Sequence, residues 1–196
     1  KAFEAAGLKN AIVAKDAPND PDWDAEDVRY STIRWITSSE PSFGATGPSR
    51  VDPRSGEILD ADILFEATFI QNFRNTYRRF AGPEAIAEMM LPSLNNAWPK
   101  WLSPELRCDA QFGLADGGAL LRTDMLVNGV LPPGAPVPME FVGQALTWAV
   151  MHEVGHSLGL RHNFRSSTAT PYDKLTDKTY TRQHGTTASV MDYEGI

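Results

Sequence analysis

The stretch HEVGHSLGLRHN, His152 to Asn163, gathers three of the chain's four histidines within eleven positions. On an α-helix, positions 152 and 156 lie one turn apart, about 40° around the axis and about 6 Å along it, so both imidazoles reach one ion. Continued as helix, His162 would point roughly 240° away from His156, so a shared ion requires the chain to turn between them. Gly159 permits that turn. Lacking a Cβ, it takes a left-handed backbone just past a helix end at no steric cost, and Leu160 after it can pack back on Val154 or its neighbour. His162 is thereby swung towards the first pair. Three neutral imidazoles with a fourth position left to water form a catalytic rather than a structural zinc site. Glu153 follows His152 about 100° round the helix, beside such an ion without having to bind it. There its carboxylate can hold a water at the open position and take its proton.

The short pattern His-Glu-x-x-His arises by chance on helices, and a lone buried histidine is more often a satisfied core residue. The extended form, His-Glu-x-x-His-x-x-Gly-x-x-His, fixes five residues, and its chance expectation in a chain of this length is on the order of 10⁻⁵. Two rival readings keep the metal but not the chemistry. One is a binding module that carries the zinc site as a relic, against which the presence of Glu153 argues. The other is a closed structural site with Cys108 as fourth ligand.

The 196 residues are 42% hydrophobic and 22% charged, the balance of a soluble globular domain with one sizeable core. A net charge of −7 repels a nucleic-acid backbone or an anionic membrane surface. With Cys108 the single cysteine, no disulfide can form within the chain. No apolar run approaches the roughly 18 residues of a membrane span, and KAFEAAGLKN at the start lacks both a signal-peptide core and an initiating methionine. The expectation is a processed chain or a piece of a longer one.

Along the chain, KAFEAAG reads as a helix end with Gly7 as C-terminal cap, and NAIVAK, residues 10–15, as a short strand. The acidic, proline-broken run Asp16 to Asp27 leads into VRYSTIRWIT, residues 28–37, whose alternation predicts a strand. VDPRSGEI has the chemistry of a type I turn closed by a glycine bulge at Gly56, joining antiparallel strands. The second of these, GEILDADILFE, is expected to place Leu59, Ala61, Ile63 and Phe65 on one face and Asp60 and Asp62 on the other. From Glu66 to about Met125 the period becomes helical, with Phe69, Phe73, Tyr77 and Phe80 as a core stripe. A helix from about Met139 to Leu158 is apolar nearly all round and should be buried centrally.

HEVGHSLGLRH resembles the zinc signature of the metzincin metallopeptidases, and ASVMDY, some thirty residues on, resembles their methionine turn. Within that clan the chain is similar to the EcxA-type zinc-dependent metalloproteases, through KAFEAAG, VRYSTIRW, VDPRSGEIL, HNF and SS after the third histidine, and SVMDY. The resemblance implies one catalytic domain over residues 1–196. Residues 1–66 would form the sheet, 67–138 a helical insertion, and 139–196 the active-site helix, third ligand and methionine turn. The implied fold is α/β (α+β), zincin-like: a mixed twisted sheet, an antiparallel edge strand and a long buried active-site helix. The edge strand, about Phe43 to Val51, would pair with Glu57 to Glu66 and line the cleft, where an extended peptide could add to it. His152, His156 and His162 would bind Zn²⁺, Glu153 would act as general base and acid, and Met191 would form an apolar floor. Tyr193 matches a tyrosine that in some members touches the zinc or the developing oxyanion. The partner implied is a protein or peptide substrate, and the location secreted or periplasmic. In that fold one strand precedes the helix ending in KAFEAAG and another helix follows the methionine turn. Both lie outside these residues, so the expectation is a fragment completed by flanking sequence or another chain.

Weaker signals carry bland readings. Asp20, Asp22, Asp24 and Glu26 alternate as in a calcium loop, but Ala25 stands where glycine belongs and Ser31 where a bidentate glutamate belongs, so a solvated acidic loop is expected. Cys108 reads as a small buried hydrophobe. His184, beside Gly185, reads as an exposed loop residue.

Overall fold

The computed structural model describes residues 2–39, 43–71, 110–132, 135–136 and 138–193. Helix α1, Ala2–Ala5, closes at Gly7 as the sequence predicts. Gly7 has φ +86°, Leu8 N–H donates to Phe3 O at 2.8 Å, and Gly7 N–H donates to Glu4 O at 3.0 Å. These bonds occupy carbonyls that the helix end would otherwise leave unpaired.

Residues 10–15 are not the strand that NAIVAK predicts. No strand lies beside them among the described residues, and Ile12 and Val13 are 54% and 65% exposed. An extended segment without a neighbour has neither ladder bonds nor a face to bury. The strand predicted over 28–37 is also shorter, because the preceding aspartates make turns. Asp20, Asp24 and Asp27 each accept from the backbone N–H two residues on, at 3.0, 2.9 and 3.0 Å. Strand β1 therefore begins at Ile33 and ends at Ile36. Within it the expected alternation holds, Arg34 and Ile36 being half-buried and Ile33 and Trp35 exposed.

Four more strands follow: β2, Ala45–Thr46; β3, Ser49–Val51; β4, Ile58–Ala61; and β5, Ile63–Glu66. The turn between β3 and β4 is the one that VDPRSGEI predicts. Gly56 has φ +77°, its N–H donates to Asp52 O at 2.8 Å, and Asp52 N–H donates to Glu57 O at 2.9 Å. The single strand expected over 57–66 is instead two strands in different sheets. Asp62 interrupts it, because its Oδ1 accepts from Thr32 N–H and Oγ1 at 3.2 and 2.5 Å and its Oδ2 pairs with Arg34 at 3.3 Å. The facing expected for the first half is reversed as a result. Leu59 is exposed and Asp60 buried beside Arg50, while Ile63 and Phe65 are buried as expected.

Strand β5 is central to a mixed three-stranded sheet of order β1-β5-β2. It pairs parallel with β1 (Ile33 opposite Ile63) and antiparallel with β2 (Ala45 opposite Phe65). The antiparallel edge strand expected over 43–51 is thus present in two pieces, β2 on β5 and β3 on β4. The break falls at Gly47 and Pro48, where proline has no N–H to offer a ladder.

Three longer helices complete the described fold: α2, Ala110–Val127; α3, Met139–Ser157; and α4, Lys178–His184. The bounds of α3 are those the sequence predicts to within a residue. Its burial is one-sided rather than all-round. Val142, Ala145, Ala149, His152 and Glu153, spaced by three and four, face inwards, while Gly143, Gln144, Thr147 and Met151 are exposed. The sheet covers one flank only, and the core joins that flank to Ala45, Ile63, Phe65 and Phe69. Phe65 sits between Trp35, stacked at 6.5 Å, and Phe69, edge-on at 5.9 Å. Of the expected aromatic stripe, Phe73, Tyr77 and Phe80 lie outside the described residues. No described helix is long and apolar enough to cross a membrane.

Candidate metal centre

Helix α3 ends one residue after His156, and the chain then does what Gly159 predicts. Leu158 N–H donates to Val154 O at 3.0 Å, Gly159 N–H to His156 O at 2.8 Å, and Leu160 N–H to Gly155 O at 2.9 Å, with Gly159 at φ +85°. Leu160 is 52% exposed, and the turn is held by its backbone, whose carbonyl lies 2.9 Å from His156 Nδ1.

The reversal brings the three imidazoles together. Ring centroids are 4.8 Å apart for His152 and His156, 4.7 Å for His156 and His162, and 5.4 Å for His152 and His162. One nitrogen from each falls within 4.8 Å of the others, a group that could hold a metal ion. Two backbone carbonyls set the tautomers. Val190 O lies 2.6 Å from His152 Nδ1 and Leu160 O lies 2.9 Å from His156 Nδ1. A carbonyl can only accept, so each Nδ1 carries the proton and each Nε2 presents a lone pair. His156 Nε2 and His162 Nε2 are 3.1 Å apart. Two nitrogens on a tetrahedral zinc at about 2.0–2.1 Å stand about 3.3 Å apart, so the spacing of this pair suits such an ion with a small outward shift.

Electrostatics favour the ligating form. Burial pushes the His152 pKa down to about 4, against the opposing pull of its bond to Val190 O. Burial lowers His156 as well. Both rings are therefore neutral at pH 7, and binding a cation requires no proton to leave them.

Glu153 is buried beside His152, on the flank of α3 that meets the edge strand. Contact there is close. A Cβ at Gly47 would stand 2.3 Å from Glu153 O, and Ser157 Oγ lies 3.1 Å from both Gly47 O and Glu153 O. Only glycine admits this approach of strand to helix.

Met191 is buried against the other side of the helix backbone, where a Cβ at Gly155 would meet its Sδ at 2.3 Å. Asn163 N–H donates to Met191 O at 3.0 Å, tying that segment to the residue after the third histidine. Tyr193 reaches the cluster: its Oη is 2.9 Å from His162 Nε2, and the two rings are 4.6 Å apart. Every site residue singled out in the sequence, His152, Glu153, His156, Gly159, His162, Met191 and Tyr193, therefore lies in or against one small region.

Two residues there were given no role by sequence reasoning. Phe164 lies with its ring 5.5 Å from that of His162 and 5.0 Å from that of Tyr193. Asp192 is a buried carboxylate between Met191 and Tyr193. The only signal for either was its place inside the quoted HNF and SVMDY motifs.

Cys108 lies outside the described residues. His184 is exposed, but as the last residue of α4 rather than in a loop, with its ring 4.5 Å from Tyr180. The 20–26 aspartates are exposed and engaged in their own turns.

Residues 134–196 match a family model described as Met-zincin, so this segment, which contains the whole histidine cluster, is of the metzincin type. No curated protein and no solved structure shows significant similarity to the chain.

Proposed function

We propose that this chain, with its metzincin-type segment, is a zinc-dependent endopeptidase of the EcxA type. His152, His156 and His162 would hold the ion through the nitrogens that converge at the end of α3. When bound, zinc supplies a Lewis acid that polarises a carbonyl and lowers the pKa of water to about 7. The remaining steps belong to the protein. Glu153 accepts a proton from the attacking water and passes it to the leaving amine. Tyr193 donates its phenolic hydrogen bond towards the oxyanion that develops on the substrate. Residues 189–193 are read as the methionine turn, with Met191 as the apolar support beneath the histidines. Strand β2, the sheet edge nearest α3 among the described residues, offers the backbone against which an extended peptide would lie. A secreted or periplasmic setting belongs to the same proposal.

The observation that carries this reading is the pairing of the imidazole cluster with a buried carboxylate one residue from its first member. A purely structural zinc site has no use for Glu153. The test is Glu153→Gln, which keeps the side chain's shape and removes its basicity. Zinc content after dialysis should equal that of the wild type, and cleavage of a peptide library should fall by about 10²–10⁴. Undiminished cleavage by that variant would refute the role of Glu153 and with it the proposed mechanism.

A further inference from the structure

We infer that Asp192 is a positioning residue for the metal site, its carboxylate fastening the segment that follows the third histidine to the segment that carries Met191 and Tyr193. The inference rests on the zinc reading above and deepens it. Asp192 is 6% exposed, and both of its oxygens are used. Oδ1 accepts from Tyr193 N–H at 2.9 Å, and Oδ2 accepts from Ser167 N–H at 2.9 Å. The hydroxyls of Ser166 and Thr187 lie 2.8 and 3.5 Å from Oδ2. Ser166 is itself buried, and its Oγ is 2.7 Å from Thr187 Oγ1.

The two segments so joined supply different parts of the site. Residues 162–167 bring the ring of His162. Residues 187–193 bring Val190 O, which orients His152, and the Tyr193 hydroxyl, which reaches His162. Besides the carboxylate, the direct backbone links between them are Asn163 N–H to Met191 O at 3.0 Å and Ala188 N–H to Ser166 O at 3.3 Å. Asp192 lies where the segments cross, with a backbone donor from each on separate oxygens. Hydrogen bonds to an ionised acceptor are roughly twice as strong as neutral ones. An amide cannot replace this arrangement, because whichever way Asn is turned, its NH₂ faces one of the two backbone N–H groups.

Loosening the crossing moves the partner that orients His152 relative to the loop that holds His162. Outer partners of metal ligands are typically worth 10–100-fold in affinity. The experiment is a chelator-competition titration of zinc into the metal-free protein, well below its unfolding temperature, for the wild type, Asp192→Asn and Ser166→Ala. The zinc Kd should rise about 10–100-fold in Asp192→Asn and by a smaller factor in Ser166→Ala. An acid that merely stabilised the fold would lower the Tm of the metal-free protein and leave the zinc Kd where it was. A wild type that binds zinc tightly, with Asp192→Asn binding it equally well, overturns this inference alone. A wild type that binds no zinc overturns it together with the proposed function. Should Asp192→Asn fail to fold, Ser166→Ala decides, and an unchanged Kd in that variant counts against the inference.

Discussion

Replacing Gly47 with alanine probes the contact that sets the sheet edge against the helix carrying Glu153. The new Cβ would stand 2.3 Å from Glu153 O, 3.0 Å from its carbonyl carbon and 3.2 Å from its Cα, whereas ordinary contact begins near 3.4 Å. The shortfall to the oxygen is 3.4 − 2.3, or about 1.1 Å, and the obstacle is helix backbone rather than a side chain that could rotate away. The connection between β2 and β3 must therefore retreat by about 1 Å, which also breaks the 3.1 Å contact of Ser157 Oγ with Gly47 O. Overpacking of this size costs about 1–3 kcal/mol and the lost hydrogen bond about 1 kcal/mol more, so a destabilisation of about 2–4 kcal/mol is expected. Under the proposed function, a 1 Å misplacement near the chemistry costs on the order of 10²-fold in rate, which sets the expected loss of peptide cleavage. Urea unfolding with and without zinc, with cleavage assayed in parallel, reads both effects. Gly143→Ala is the control, since its Cβ meets nothing within 4 Å on an exposed helical turn and should stabilise by up to about 1 kcal/mol. If Gly47→Ala were as stable and as active as the wild type, the edge strand could not lie on α3 as described.

The same contact can be weakened from the helix side. Ser157→Ala removes the hydroxyl and leaves the Gly47 carbonyl without that partner, at an expected cost of about 1–2 kcal/mol in chemical denaturation; an unchanged midpoint would contradict the role. The histidines predict a pH dependence for the metal-free protein. His152 titrates near 6.5 when unfolded and about 4 when folded, so between these values the unfolded chain binds a proton that the folded chain does not. Stability should fall as pH drops through that window, by on the order of 3 kcal/mol from this ring, and change no further through it below about pH 4. The window should flatten in His152→Asn; an identical pH profile in the variant would show that the ring is not buried neutral.

The sequence made the site legible because its parts are local. His152, Glu153 and His156 are placed by helix geometry, and His162 follows from one glycine and the turn it allows. The Asp52 to Gly56 turn was readable for the same reason, since residues four apart fix their own backbone. Pairing that depends on distant neighbours was less legible. NAIVAK has strand composition but no described strand beside it. Asp62 breaks GEILDADILFE because Thr32 and Arg34, thirty and twenty-eight residues away, engage its carboxylate. One apolar helix reads alike whether it is covered on one side or on all, so the one-sided burial of α3 could not be foreseen from composition. Asp192 carried no local signal, because its partners at Ser166, Ser167 and Thr187 meet it only where two segments cross.

X-ray absorption at the zinc edge, on protein loaded with one equivalent of zinc, reads the ligand shell itself. Three imidazole nitrogens at about 2.0–2.1 Å, an oxygen in the remaining position and no sulfur are expected. A sulfur shell at about 2.3 Å, or fewer than three imidazoles around the ion, would contradict it.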